Sequence, residues 1–345
     1  MVNVRRLVMV GLILSLSIFC GAVSAQIVVN PGQGHDIGPA LNSAIAQFAA
    51  TPTTPGTILI TTGSYALSET VSQPHWVTID GQNSVINVSS LSVPAIVCGE
   101  AKTDLPDISP LQVTSYAQGG VRNLTLFGGG TLTPYGIWLG PDPSGTNAPS
   151  NITDYLEVFQ NVHVQNFGKG YVVGGTPSTA IGQASWVGGS ITLNGDGVYL
   201  PSADPGSENL NMHGTQILNN GQGSFTSGYG INNAASNIEL NLYGVSLDYN
   251  TSGGINWNGG SLNLFGCHLE QLSGYLINGT SSNFQTILNL IASTLALTAT
   301  LGTDTALIKV GGTSARCSFT LDFMSQSVTL SPISSTGSRQ EASTH

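Results

Sequence analysis

The chain of 345 residues carries 8 Lys and Arg against 18 Asp and Glu, a formal charge of −10, with 8% of residues charged and 44 glycines. It has no run of Lys and Arg, which speaks against phosphate-led binding of nucleic acid or of an anionic membrane surface. Its polar surface must come from amides and hydroxyls rather than ion pairs, a composition suited to neutral sugars.

Two arginines, Arg5 and Arg6, precede an apolar run from Leu7 to Val23, and Ser24-Ala25 follows. This reads as a secretory signal over residues 1–25, cleaved before Gln26, so the protein is expected to be secreted (extracellular or periplasmic) with no membrane contact afterwards. The alternative is an uncleaved anchor, because the run approaches the roughly 18 residues that a span needs. Loss of Arg5 and Arg6 takes the eight basic side chains to six against eighteen acidic ones, a balance of −12. Cys98, Cys267 and Cys317 remain, so at most one disulfide forms; the bland reading makes them small buried hydrophobes.

Residues 26–56 read as an N-terminal capping segment. Leu41, Ala44, Ile45 and Phe48 have the spacing of an amphipathic helix over Pro39–Ala50, with Asp36 ahead as a cap and Pro52 and Pro55 behind as stops. Such a helix can close the open end of a stacked structure.

Residues 57–330 carry a repeat: apolar, Asn or Thr, apolar, any residue, Gly. Copies begin at Val77, Leu124, Ile191, Leu210, Leu240 and Leu262. Each is a short period-2 strand closed by a glycine bend, and one such strand can bury its apolar face only against copies of itself. The last two copies are 22 residues apart, one turn of a parallel β-solenoid, and the pair before is 30 apart, a turn plus a loop. The offset of 47 from Val77 to Leu124 fits two turns. The offsets of 67 and 19 around Ile191 divide less cleanly and place that copy on a different edge. The expected fold is all-β, a right-handed parallel β-helix with a short N-terminal capping helix. Gly/Pro/Asp-rich stretches at 100–110, 141–149 and 201–207 read as loops, and residues 331–345 as a disordered tail.

The run through Asp36, Ala40-Leu41, Ala44-Ile45, Gly56-Thr57-Ile58, Gly63-Ser64-Tyr65 and Val77-Thr78-Ile79-Asp80-Gly81 resembles the start of pectin-lyase-like right-handed β-helix proteins, among them the pectate lyase superfamily and phage tailspikes. That resemblance implies a polysaccharide partner and, through the tailspikes, homotrimers.

Aligning the 22-residue copies sets Val245-Ser246-Leu247-Asp248 over Cys267-His268-Leu269-Glu270. If both leucines point inward, alternation sends Ser246, Asp248, His268 and Glu270 outward on one face. Rungs of a parallel sheet lie about 4.8 Å apart, so Asp248 and Glu270 are expected as neighbours, and two carboxylates that close favour holding a proton between them. Acid/base glycan cleavage needs that arrangement; about 5–5.5 Å suits a retaining hydrolase and about 6.5–9.5 Å an inverting one. His268 is the candidate to orient a carboxylate or shuttle a proton. His213, Tyr243 and Phe265 form a neighbouring column of aromatic faces for sugars, and Trp138 and Tyr199, with Asn256, mark a second strip. The competing reading makes these residues turn ladders and packing.

The sequence contains no full polygalacturonase set of Asn-x-Asp, Asp-Asp, Gly-His-Gly and Arg-x-Lys. Arg122 and Lys169 fall within rungs without a neighbouring acidic cluster, which makes a polysaccharide lyase an alternative of lower rank. A lone carboxylate in Asn194-Gly195-Asp196-Gly197 makes no calcium site, and His35, His75 and His163 have no partner at metal-ligand spacing. No metal or cofactor is expected. The leading expectation is a polysaccharide-engaging β-helix in which Asp248, Glu270 and His268 are the candidates for glycan cleavage; a non-catalytic adhesin or structural surface protein is the other.

Overall fold

The computed structural model describes residues 25–49, 55–98, 119–140, 157–175, 181–204, 206–271, 274–280, 286–291, 293–297 and 308–311. Most of the expected leader, Cys317, the tail at 331–345 and the loops at 100–110 and 141–149 lie outside the described residues.

The chain winds as a right-handed parallel β-helix. Its described strands form a sheet of sixteen and a sheet of nine, and every strand pairing is parallel. The larger sheet is folded lengthwise, so each turn presents three faces. One turn runs through Leu210–His213, Gln216–Leu218 and Tyr229–Asn233, and the next through Ile238–Tyr243, Ser246–Asp248 and Gly253–Trp257. The turn after takes Gly260–Phe265, His268–Gln271 and Tyr275–Thr280.

Period-2 patterning decides what lies inside. In Leu240-Asn241-Leu242-Tyr243 the leucines enter the core while Tyr243 stays 37% exposed. Register then piles like on like: Ile58, Ile79, Val121, Phe159, Trp186, Met212, Leu242 and Leu264 follow one another down the first face. The second face stacks Ile86, Leu126, Val164, Ile191, Ile217, Leu247 and Leu269. All of these are buried. Each contributes about 1.5–3 kcal/mol by leaving water, so the fold is held by a continuous apolar column rather than by one compact core.

Two corners shape the turn. The first has a left-handed residue at Asn123, Asn161, Gly188, Gly214, Gly244 and Gly266, with φ between 51° and 66°, joined in one turn by left-handed Gly189. The second has left-handed Asn166, Leu193, Asn219 and Tyr249. Beside it runs a buried ladder of Asn194, Asn220 and Asn250, whose side chains satisfy the backbone that the corner leaves unpaired.

Leu210 pairs with Leu240 and Leu240 with Leu262, so the 30- and 22-residue offsets are single turns. The Ile191 copy sits on the second face, opposite Ile217, the separate edge that its offsets required. The offset of 47 is not two turns. Thr78 pairs directly with Gly120, while Leu124 lies past the first corner and opposite Ser84. Val77 and Leu124 therefore belong to different faces, because a long insertion between Cys98 and Gly119 stretches a single turn.

The helix forms at Gly38–Ala49, begun by Gly38 N–H donating to Asp36 Oδ1 at 3.0 Å. It packs Leu41, Ala44, Ile45 and Phe48 against the first strands and caps the stack. Cys98 and Cys267 are both buried. No helix among the described residues is long and apolar enough to cross a membrane.

Candidate functional site

Register brings the expected acid/base residues together on the outer side of the second face: Ser246 lies opposite His268, and Asp248 opposite Glu270. His268 Nδ1 is 2.9 Å from Asp248 Oδ1, and the Glu270 backbone N–H donates to that same oxygen at 3.1 Å. The Ser246 hydroxyl donates to Asp248 Oδ2. Facing a carboxylate, Nδ1 carries the imidazole proton. Asp248 is thus committed to three donors and is 13% exposed, whereas His268 is 44% exposed. Glu270 accepts the Tyr249 phenol, and this bond, ahead of burial and the neighbouring carboxylates, pushes the phenol's pKa up. The cluster can orient an imidazole and balance positive charge on it.

The aromatic column behaves differently from a sugar platform. His213 stacks on Tyr243 at 4.7 Å and 6°, and Tyr243 on Phe265 at 5.0 Å and 9°. The rings turn their faces to one another and leave edges for solvent. Beside them an amide ladder runs through Asn211, Asn241, Asn263 and Asn289.

On the third face Trp138, Val172, Tyr199, Asn232 and Asn256 follow in register. Trp138 and Tyr199 share a row, as their spacing implies, yet their surroundings differ. Trp138 is 5% exposed and packs with Val97 and Val172, with Tyr135 edge-on at 5.1 Å. Tyr199 opens into a groove of about 500 Å³, lined by Tyr135, Lys169, Asp196, Phe225, Ser227 and Asn232 among others.

Lys169 crosses this groove. Its Nζ stands 3.7 Å from the ring centroid of Tyr199 and 5.7 Å from that of Tyr135, a cation–π placement. Burial lowers the ammonium's pKa, and Asp196 partly restores it. Burial, then Asp196 and Tyr135, raises the Tyr199 phenol. Asp196 itself is 2% exposed and bound by the Ser227 hydroxyl, the Tyr229 N–H at 3.2 Å and the Asn232 amide at 2.9 Å.

Reading the sequence alone passes over Asp196, Tyr135, Phe225 and Asn232 as site residues, and gives Lys169 no acidic neighbour. Lys169 and Asp196 meet because one turn separates them: they are register partners 27 residues apart. The other lone cation within a rung, Arg122, pairs with Asp80 at 3.0 Å. Among the described residues no three His, Cys, Asp or Glu side chains are grouped to hold a metal.

No protein-family model matches the chain, and no curated protein matches it by sequence. Among solved structures it is similar to ORF18 of Geobacillus virus E2, with a TM-score of 0.53 and 13% identity over 91% of this chain and 64% of that one. The chain therefore spans under two thirds of that protein's length. It also aligns with the enzymatically active domain of bacteriophage CBA120 tailspike protein 2, at TM-score 0.44 and 13% identity over 84% of this chain and 47% of that one. A third match is the A-module of the Azotobacter vinelandii mannuronan C-5 epimerase AlgE4, at TM-score 0.29 and 13% identity over 83% and 97% of the two chains. The chain has the fold of the pectin-lyase-like right-handed parallel β-helices.

Proposed function

We propose that the protein is secreted and engages polysaccharide, and that a saccharide chain lies in the third-face groove. The observation that carries this reading is the Lys169 ammonium held 3.7 Å from the Tyr199 ring centroid at the floor of a groove of about 500 Å³. Sugars present apolar C–H faces and rims of hydroxyls. Tyr135, Tyr199 and Phe225 offer aromatic surface for the first, and Ser224, Thr226, Asn232 and Lys169 offer polar partners for the second. The sparse charge of the chain fits such a partner better than a polyanion.

Affinity electrophoresis in gels cast with dextran, xylan, galactan, polygalacturonate or alginate tests the reading, with analysis of any products. Retardation in at least one gel is expected, and free migration in all of them overturns it. New reducing ends assign hydrolysis, unsaturated ends assign elimination, and retention without cleavage assigns an adhesin. The amino terminus of the exported protein, expected at Gln26, tests secretion, and sedimentation tests assembly into a homotrimer.

A hydrolytic second site is favoured by one observation, the 2.9 Å pairing of Asp248 with His268 beside Glu270. Glu270→Gln should abolish glycan cleavage and keep the fold; unchanged turnover removes this reading.

A further inference from the structure

We propose that Asp196 is the positioning residue of the groove: its carboxylate latches the wall around Ser224–Ser227, together with Asn232, onto the third face and keeps the groove open in a ligand-ready shape. The inference rests on the groove being the saccharide site.

Three groups from one short stretch of chain, residues 227–232, converge on this one carboxylate. Ser227 ends the wall, Tyr229 N–H begins the next strand, and Asn232 stands in the outer row of that strand. The wall between Asn220 and Tyr229 contains Gly221 and Gly223, both left-handed with φ of 83° and 76°, and Gln222, Gly223, Ser224 and Thr226 are exposed. At its near end Gly221 N–H donates to Asn194 O at 2.5 Å. At its far end the Ser227 bond to Asp196 and the Ser252 N–H on Gly228 O at 3.0 Å tie it to the sheet, and Phe225 leans on the Gly195 turn, where an added Cβ would come 3.4 Å from the ring. A glycine-bearing segment held near its two ends loosens between them when one tie is cut.

The same carboxylate also acts on the floor. Its charge favours the protonated forms of Lys169 and Tyr199, so that the groove presents an ammonium and a neutral phenol. A residue that merely supported the fold would not alter the titration of Lys169.

The experiment compares wild type with Asp196→Ala, Asp196→Asn and Ser227→Ala. In Asp196→Ala, amide exchange of residues 221–228 should accelerate at least tenfold, while strands Ser246–Asp248 and His268–Gln271 exchange as in wild type. The ¹³C-methyl resonance of reductively methylated Lys169 should titrate at lower pH in Asp196→Asn. The amide that Asp196→Asn introduces can still accept from Ser227 and Tyr229 through one oxygen but turns an N–H toward Asn232, so the wall of this variant should exchange at an intermediate rate. Ser227→Ala should release the wall and leave the Lys169 titration in place, which keeps the test decisive if Asp196→Ala does not fold. Wild-type exchange at 221–228 in both Asp196→Ala and Ser227→Ala, or an unmoved Lys169 titration in Asp196→Asn, overturns the proposal. Free migration of wild type through every polysaccharide gel would instead remove the saccharide reading, and the exchange result would still judge the latch.

Discussion

Asn250 accepts two hydrogen bonds from Asn220 through one side-chain oxygen: from its backbone N–H at 3.1 Å and from its side-chain amide at 2.8 Å. Asn220 repeats this toward Asn194, and each amide also donates to a carbonyl of the preceding turn: Asn250 to Ile217 O and Asn220 to Ile191 O. The ladder closes the second corner in the dry interior, where an unpaired peptide group is costly.

Asn220→Ala strands the Asn194 N–H and takes the side-chain donor from the Ile191 carbonyl, which keeps its place in the strand ladder. At about 1–3 kcal/mol for a buried group left without a partner, the variant should lose about 1–3 kcal/mol, read as a lower urea midpoint. Asn211→Ala, in the outer ladder where water can replace the lost amide, should stay within about 1 kcal/mol of wild type. Equal losses in the two variants would show that the buried ladder has no special weight.

The left-handed glycines of the turn are of two kinds. At Gly244, with φ 60°, an added Cβ meets nothing within 4 Å, and the same left-handed position is filled by Asn in the earlier turns at Asn123 and Asn161. Gly244→Asn should therefore be near neutral, and Gly244→Ala should cost about 1–2 kcal/mol for the left-handed backbone alone. Gly260, with φ 93°, would drive a Cβ to 2.0 Å from Ile238 O. Gly260→Ala must shift the backbone of the adjacent strand, so its melting temperature should fall well below that of Gly244→Ala. The reverse order would show that the strands at this level are free to part.

The first corner also explains how far the sequence could be read. The solenoid and its inward columns were legible because Leu, Ile and Val recur at period 2 and because the 22- and 30-residue turns repeat the same letters. The glycine ending the motif was ambiguous. In Gly214, Gly244 and Gly266 it is the first corner, but Gly128 and Gly195 follow strands of the second face. Asn123 and Asn161 make the same bend without matching the pattern. The Asp248–Glu270 adjacency followed from a turn with no insertion. The groove did not, because Lys169, Asp196 and Asn232 come from turns of unequal length, and the wall that encloses them is itself an insertion between strands.

Glu157 sets the pH dependence. It begins the strand Glu157–Gln165 yet points into the interior, fully buried, with no hydrogen bond of good geometry to either carboxylate oxygen. Burial raises its pKa from 4.5 to about 8, and Gln73 beside it offsets that only in part. Between those two values the folded chain holds a proton that the unfolded chain has released. Stability from this group is therefore fullest below about pH 4.5 and is lost as pH rises toward 8, by up to about 1.4 kcal/mol per pH unit. His163 works the other way, because burial pushes its imidazole down and its cost is relieved as pH rises toward 6.5. Glu157→Gln removes the first effect and keeps the second. Its urea midpoint should exceed that of wild type at pH 8, and the gap should close at pH 5; a gap that does not depend on pH would place an ionised carboxylate in the core.

The groove and the two aromatic strips make opposite demands on the same assay. Tyr199 faces the groove, so Tyr199→Ala should weaken retardation in the responsive polysaccharide gel by roughly fivefold to tenfold, about 1 kcal/mol for one ring contact. Lys169→Ala should do the same, with the strands intact. Tyr243→Ala should leave retardation unchanged, because its faces are spent on His213 and Phe265. Trp138→Ala should fail in another way: removing a side chain that is 5% exposed costs about 3–5 kcal/mol of folding stability, and any loss of binding should follow the unfolded fraction. If Tyr243→Ala abolishes retardation and Tyr199→Ala does not, the saccharide lies along the edge of the first face, and the third-face groove has another occupant.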